Sequence, residues 1–143
     1  LYFAWDAPLP IKEPIIAFDG QAEGLIHNLC FPSLVAPSYA PPGRHLLGVT
    51  VLGLPNLSDP ELTATVRRQL LAWFGPDAES ATLLRIYRLA HAHPVPHPPG
   101  VFARPPRHPS GVWLTGDHCF FPSIQAALVH GRRSAEALAS SLS

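Results

Sequence analysis

The sequence predicts an α/β chain in two parts, a strand-rich part with one helix up to about residue 95 and a strand–helix pair from about residue 96 to 143. Three observations lead there. Short apolar runs separated by turn residues fill the first half. Two stretches, one from Ser58 and one from Ser123, carry apolar residues at helical spacing. Between them, seven prolines and four histidines (91, 93, 97 and 108) crowd into residues 91–110, a composition that crosses between structural units and does not build a core.

The elements follow in order. Leu1-Tyr2-Phe3-Ala4-Trp5 reads as a strand already under way. Pro14 to Phe18 is a short apolar run closed by Asp19-Gly20, a turn signal, and Leu25 to Phe31 is a second plausible strand, so a hairpin is expected. Pro32 to Gly43 holds four prolines and two serines and is expected to lack regular structure. Leu46 to Gly53 is nearly all apolar, of the kind buried on both faces. Ser58 with Glu61 three residues on forms a capping box, Pro60 sits in the first turn, and Leu62, Val66, Leu70 and Trp73 make one stripe that Gly75-Pro76 ends, a helix over 58–74. Core packing is the expected role of Trp73. Thr82 to Ala90 resumes as a strand. After the proline-rich stretch, Gly111 to Thr115 is a short apolar strand followed by Gly116-Asp117. Ser123 caps a last helix to about Ser140, whose apolar face is Ile124, Ala127, Leu128, Gly131, Ala135, Leu138 and Leu142.

Composition narrows the functional classes. With 143 residues, 47% of them apolar and 14% charged, the chain suits a packed globular protein. Ten basic residues balance ten acidic ones, so nothing steers it to nucleic acid or an anionic membrane surface. No signal-peptide pattern is present and no apolar run approaches the roughly 20 residues that span a bilayer. Cys30 and Cys119 form no framework and fit a reducing compartment. A cytoplasmic protein, at most peripheral to a membrane, is expected. The absence of methionine, at position 1 as elsewhere, suggests a piece of a larger protein.

The chemistry concentrates in Gly111-Val-Trp-Leu-Thr-Gly-Asp-His-Cys-Phe-Phe-Pro-Ser-Ile-Gln-Ala-Ala-Leu-Val-His-Gly-Arg-Arg-Ser-Ala-Glu-Ala-Leu138. A strand ending in Gly-Asp puts a carboxylate at the carboxyl edge of a sheet, where open α/β sheets bind ligands. An anionic acceptor suits sugar or ribityl hydroxyls and does not suit a pyrophosphate. Gly116 allows a close approach to the backbone. The helix beginning near Ser123 offers unpaired N–H groups and a positive dipole end.

This stretch closely resembles the carboxy-terminal flavin motif of the amine oxidase and phytoene desaturase superfamily. There an apolar strand ends in Gly-Asp, and a Ser-Ile-x-Gly-Ala helix start leads into Ser-Gly-Arg-Arg-x-Ala-Glu. Pro37-Ser38-Tyr39-Ala40-Pro41 with Gly43, Gln69-Leu70 to Trp73-Phe74-Gly75, and Leu84-Arg85-Ile86-Tyr87 resemble that family's substrate domain more loosely. The resemblance implies an α+β fragment. Residues 1–95 would be the distal part of a substrate domain, and residues 96–143 the crossover and the last strand and helix of a Rossmann-type FAD-binding domain. It implies FAD as cofactor, with Asp117 on the ribityl chain, the backbone at Ile124 facing the flavin, and Gly116 and Ser123 completing the contact. The helix start would favour negative charge on reduced flavin. The implied reaction is dehydrogenation or isomerisation of an amine or an apolar polyene-type substrate; the catalytic residues are not assigned. Two positions depart from the pattern: Ala126 for the usual glycine and His130 for the usual serine. The Gly-x-Gly-x-x-Gly run that holds a pyrophosphate is not in the sequence, so the amino-terminal FAD-binding part of the same protein is the expected partner.

Other signals carry less. His91, His93 and His97 stand near one another, but the intervening prolines favour extended geometry and no metal site is expected. Arg132-Arg133 reads as a solvated face. Trp5, Tyr39, Trp73 and Phe74 could line an apolar channel. His118 and Cys119 have no evident acid or base partner and receive no catalytic role. The rival reading is a non-enzymatic interaction module docking through its proline-rich segment, with Arg104-Pro105-Pro106-Arg107 as the best strip.

Overall fold

The computed structural model describes residues 1–92, 107–119 and 121–142. They fall into two compact units, Leu1–Ala90 and His91–Ser143. The first is α+β. Its five strands are β1 (Tyr2–Trp5), β2 (Ile16–Phe18), β3 (Ile26–Cys30), β4 (His45–Val51) and β5 (Thr82–Arg85), in the order β2-β3-β4-β1-β5. Every pairing is antiparallel, in keeping with the α+β reading of the fragment and the β-rich reading of this part.

The expected hairpin forms, with Ile16 opposite Cys30 and Phe18 opposite Asn28. Its loop is long, and Asp19 organises it. Asp19 Oδ1 accepts the Gln21 N–H at 3.0 Å, and Oδ2 accepts from Gln69 Nε2 at 3.2 Å. The same Gln69 amide accepts the Ile26 N–H at 3.0 Å through its oxygen. Pro32 to Gly43 corrects the sequence reading. Prolines 32 and 37 each open a short helical turn, α1 (Pro32–Val35) and a 3-10 turn (Pro37–Tyr39), because a fixed φ and a missing N–H cost nothing at a first helical position.

Helix α2 (Asp59–Phe74) begins as read: the Glu61 carboxylate accepts the Ser58 backbone N–H at 2.8 Å and its hydroxyl at 2.6 Å. Leu62, Val66 and Leu70 are buried against Phe3, Trp5, Leu29, Leu47 and Val49 of the sheet. Full burial of side chains of this size contributes about 1.5–3 kcal/mol each. Trp73 does not continue the stripe and is 38% exposed. The i, i+4 row 62-66-70 runs on to Phe74, whose ring meets Trp5 at 6.0 Å. Gly75 ends the helix at a φ of 65°.

Two strands differ from expectation. β4 buries Leu47 and Val49 on α2's side only, and Thr50 on the other side is exposed. The strand is central yet alternates, because an antiparallel sheet can carry a helix on one face alone. β5 is four residues long instead of running to Ala90. Its partner β1 ends at Tyr2, opposite Arg85, so the chain beyond has nothing to pair with. Arg88 then turns to the start of α2, donating to Asp59 Oδ1 at 2.8 Å and to the Leu57 carbonyl at 2.7 Å.

The second unit carries α3 (Ile124–Ser141) and a 3-10 turn (Asp117–Cys119). The strand expected over 111–115 does not form. Gly111 donates to the His108 carbonyl at 2.8 Å in a tight turn, and pairing stops at one antiparallel bridge, Arg107 with Trp113. A strand needs a neighbour that pairs along its length, and among the described residues of this unit the pairing is limited to this bridge and the His108 N–H donating to the Val112 carbonyl at 2.8 Å. The boundary placed near 95 lies outside the described residues.

Candidate functional site

Three local features assemble the site. The first is the Gly116-Asp117 turn. Gly116 has a φ of 143°, a conformation that side-chain-bearing residues rarely adopt. A Cβ built there would lie 2.7 Å from His118 Nδ1, so the imidazole folds against the open side of the glycine. The sequence reading reserved that space for a cofactor; in the structure the neighbouring ring fills it. Asp117 is half-buried, and its Oδ1 accepts the His118 N–H at 2.9 Å. The Cys119 N–H donates to the Gly116 carbonyl at 3.2 Å and closes the turn, with Cys119 buried.

The second feature is the start of α3. Ser123 is its N-cap, in extended backbone, and Ser123 Oγ accepts the Ala126 N–H at 3.0 Å. The Ser123 carbonyl accepts the Ala127 N–H at 3.0 Å, the first bond of the helix. Helix geometry therefore leaves the N–H groups of Ile124 and Gln125 without an intrahelical acceptor. With the dipole of an 18-residue helix behind them, they can receive an anionic or carbonyl oxygen. The Ile124 side chain is 78% exposed.

The third feature joins the other two. The face of α3 that packs inward is Ala126, His130 and Ser134, one residue per turn, and none of the three is in the apolar stripe predicted to pack. Ser134 Oγ donates to the Leu114 carbonyl at 3.3 Å and lies 3.3 Å from His130 Nδ1. A Cβ built at Gly131 would sit 3.7 Å from Thr115 Oγ1. Residues 114 and 115 thus lie along α3, which places the Gly116-Asp117 turn on the same small unit as the helix start. The large side chains of the predicted stripe point outward instead, Ile124, Leu128 and Leu142 being 78, 71 and 81% exposed, while its small residues Ala127 and Gly131 are half-buried. Both departures from the flavin motif belong to the inward face. Ala126 is buried, and His130 is buried against Ser134.

Sequence reasoning missed this inward row. Its signal was there, as small or hydrogen-bonding residues at i, i+4 and i+8, but apolar periodicity outweighed it. Elsewhere, no three His, Cys, Asp or Glu side chains converge as a metal site among the described residues. His93, His97 and the strip at Arg104 to Pro106 lie outside the described residues. Trp5 is buried in the core, and Tyr39 is exposed at 63%.

Residues that could hold a flavin are therefore present: an acceptor carboxylate on a glycine turn and a capped helix start with spare N–H groups. A model of the flavin containing amine oxidoreductase family matches residues 4–139, nearly the whole chain. Neither the curated proteins nor the solved structures provide a match.

Proposed function

The chain belongs to the flavin-containing amine oxidoreductase family, and we propose that it supplies the carboxy-terminal part of an FAD-dependent oxidoreductase. One observation carries the reading beyond the family match: the Asp117 turn and the start of α3 are built onto one compact unit by Ser134 and Gly131. A bound flavin would supply the acceptor for a hydride leaving a substrate C–H bond, the neighbouring N–H or C–H losing its proton so that a C=N or C=C bond forms.

The residues of this chain bind and orient. Asp117 accepts hydrogen bonds from ribityl hydroxyls. The N–H groups of Ile124 and Gln125 would lie toward the pyrimidine edge of a bound flavin and would favour negative charge there. For a cofactor to approach Gly116, the His118 imidazole that now lies against it would have to turn away. The pyrophosphate and adenine are held by a glycine-rich strand–helix turn elsewhere in the full-length protein, and the outward stripe of α3 is the surface through which the helix packs into that larger domain. The substrate is an amine or an apolar polyene-type molecule, handled in the cytoplasm.

Changing Asp117 to alanine in the full-length protein tests this. A hydrogen bond to a charged group is worth about 1.5–3 kcal/mol, so FAD should bind on the order of 10- to 150-fold more weakly. Flavin fluorescence gives the dissociation constant, and the Tm of the flavin-free protein should hardly change. Unchanged affinity beside a lowered Tm would make Asp117 a turn residue only.

A further inference from the structure

A cavity of about 260 Å3 opens in the first unit where the β2–β3 loop meets the end of α2. Phe18, Trp73, Phe74 and Ile11 give it apolar and aromatic walls, and among the described residues its one charged lining group is the Asp19 carboxylate. Two of the rings are open to solvent, Phe18 at 64% and Trp73 at 38%. Each is braced by a T-shaped neighbour, Phe18 by His27 at 5.6 Å and Trp73 by Phe74 at 6.2 Å. The carboxylate is fixed as well, by the Gln21 N–H at 3.0 Å, the Gly24 N–H at 3.4 Å and Gln69 Nε2 at 3.2 Å. Desolvation works against its charge, but hydrogen bonds from the Gln21, Gly24 and Ala22 backbones and from Gln69 outweigh it and hold the carboxyl below its ordinary range.

We propose that this cleft binds a small organic ammonium ion, its methylated head against the Trp73 and Phe18 rings and its charge facing Asp19. Ring faces carry the negative end of the aromatic quadrupole, and they attract cations that shed water easily. A methylated ammonium is such a cation. A bare ammonium keeps hydrating water that these apolar walls cannot replace. An anion meets only the carboxylate and the ring faces, and a neutral apolar ligand gains nothing from Asp19. The volume suits a small molecule, just under the usual range of ligand pockets. All the residues involved lie in the first unit and none is a proposed flavin contact, so the inference stands apart from the flavin reading.

The test is an amide and indole NMR titration of the full chain with choline, and with its uncharged analogue bearing carbon in place of nitrogen. Choline should give saturable shifts centred on the Trp73 indole and the Gly20 and Gln21 amides, with millimolar affinity, and the analogue much weaker ones. Trp73→Leu should weaken choline about two- to fivefold, the size of one exposed cation–π contact. Asp19→Asn should weaken it by at least as much. Because Asp19 also holds the loop, Trp73→Leu alone decides the matter should Asp19→Asn lower the Tm. Equal binding of the uncharged analogue would overturn the proposal. So would shifts scattered over surface carboxylates and indifferent to Trp73→Leu, or no shifts at all.

Discussion

Two long helices of this chain present their apolar stripes in opposite directions. In α2 the stripe Leu62, Val66 and Leu70 is turned inward, at 3, 0 and 0% exposure. In α3 the stripe Ile124, Leu128 and Leu142 is turned outward, and Ala126, His130 and Ser134 make the internal contact. Period alone identifies a stripe; its direction depends on which surface is there to receive it. α2 has one face of a five-stranded sheet from its own unit. α3 has a segment with a single β-bridge, which it meets through small and hydrogen-bonding side chains.

The contrast breaks most readily under truncation. Leu70→Ala should cost about 2–5 kcal/mol in a urea titration of the chain, as buried leucines do. Leu128→Ala should stay within about 0.5 kcal/mol, as exposed changes do. Comparable losses at the two positions would mean that the α3 stripe is covered in solution. A smaller effect sharpens the picture of the second unit. Gly116→Ala should destabilise it by about 1–3 kcal/mol, because the positive φ strains any side chain and the new Cβ meets His118. Adding His118→Ala should return the contact's share and leave the backbone's. Full recovery would show that only the ring demands glycine there.

The smallest effect belongs to the cap of α2. Ser58→Ala should cost about 1 kcal/mol by thermal melting at neutral pH. The side-chain and backbone hydrogen bonds from Ser58 hold the Glu61 carboxyl below its ordinary value. Its contribution is therefore complete above the unfolded pKa and disappears as the pH falls through the lower folded one. Ser58→Ala should consequently cost less in acid than at neutral pH. An equal loss at both would deny Glu61 its part in the cap.

What was legible in the sequence was what short-range chemistry decides. Ser58 with Pro60 and Glu61, Asp19-Gly20 after an apolar run, and Ser123 before a periodic stretch each fix a local conformation with neighbours a few residues away, and each is found as read. The readings that differ needed distant information. Prolines 32 and 37 start turns instead of preventing them. Trp73 gives way to Phe74 because Trp5 lies on that side of α2. The run over 111–115 looks like a strand, but among the described residues its ladder is limited to the single bridge of Trp113 with Arg107. Within the candidate site, the turn at Gly116 and the cap at Ser123 could be read from residue type. The ring of His118 over that glycine could not, since spacing says nothing of where an exposed side chain rests.

The clasp at Gln69 bears on the order in which the first unit assembles. Hairpins ordinarily close on their own within microseconds, from contacts between near neighbours. Here the loop between β2 and β3 is fastened by a helix residue 43 positions beyond Ile26 and 50 beyond Asp19. A Cβ at Gly24 would come within 2.1 Å of that amide, so the glycine keeps the clasp's seat open. The loop reaches its final form only after α2 has docked, a long-range contact that topology makes slow. Any displacement of α2 that carries Gln69 away therefore also takes the loop's fastening at Ile26 and Asp19 with it.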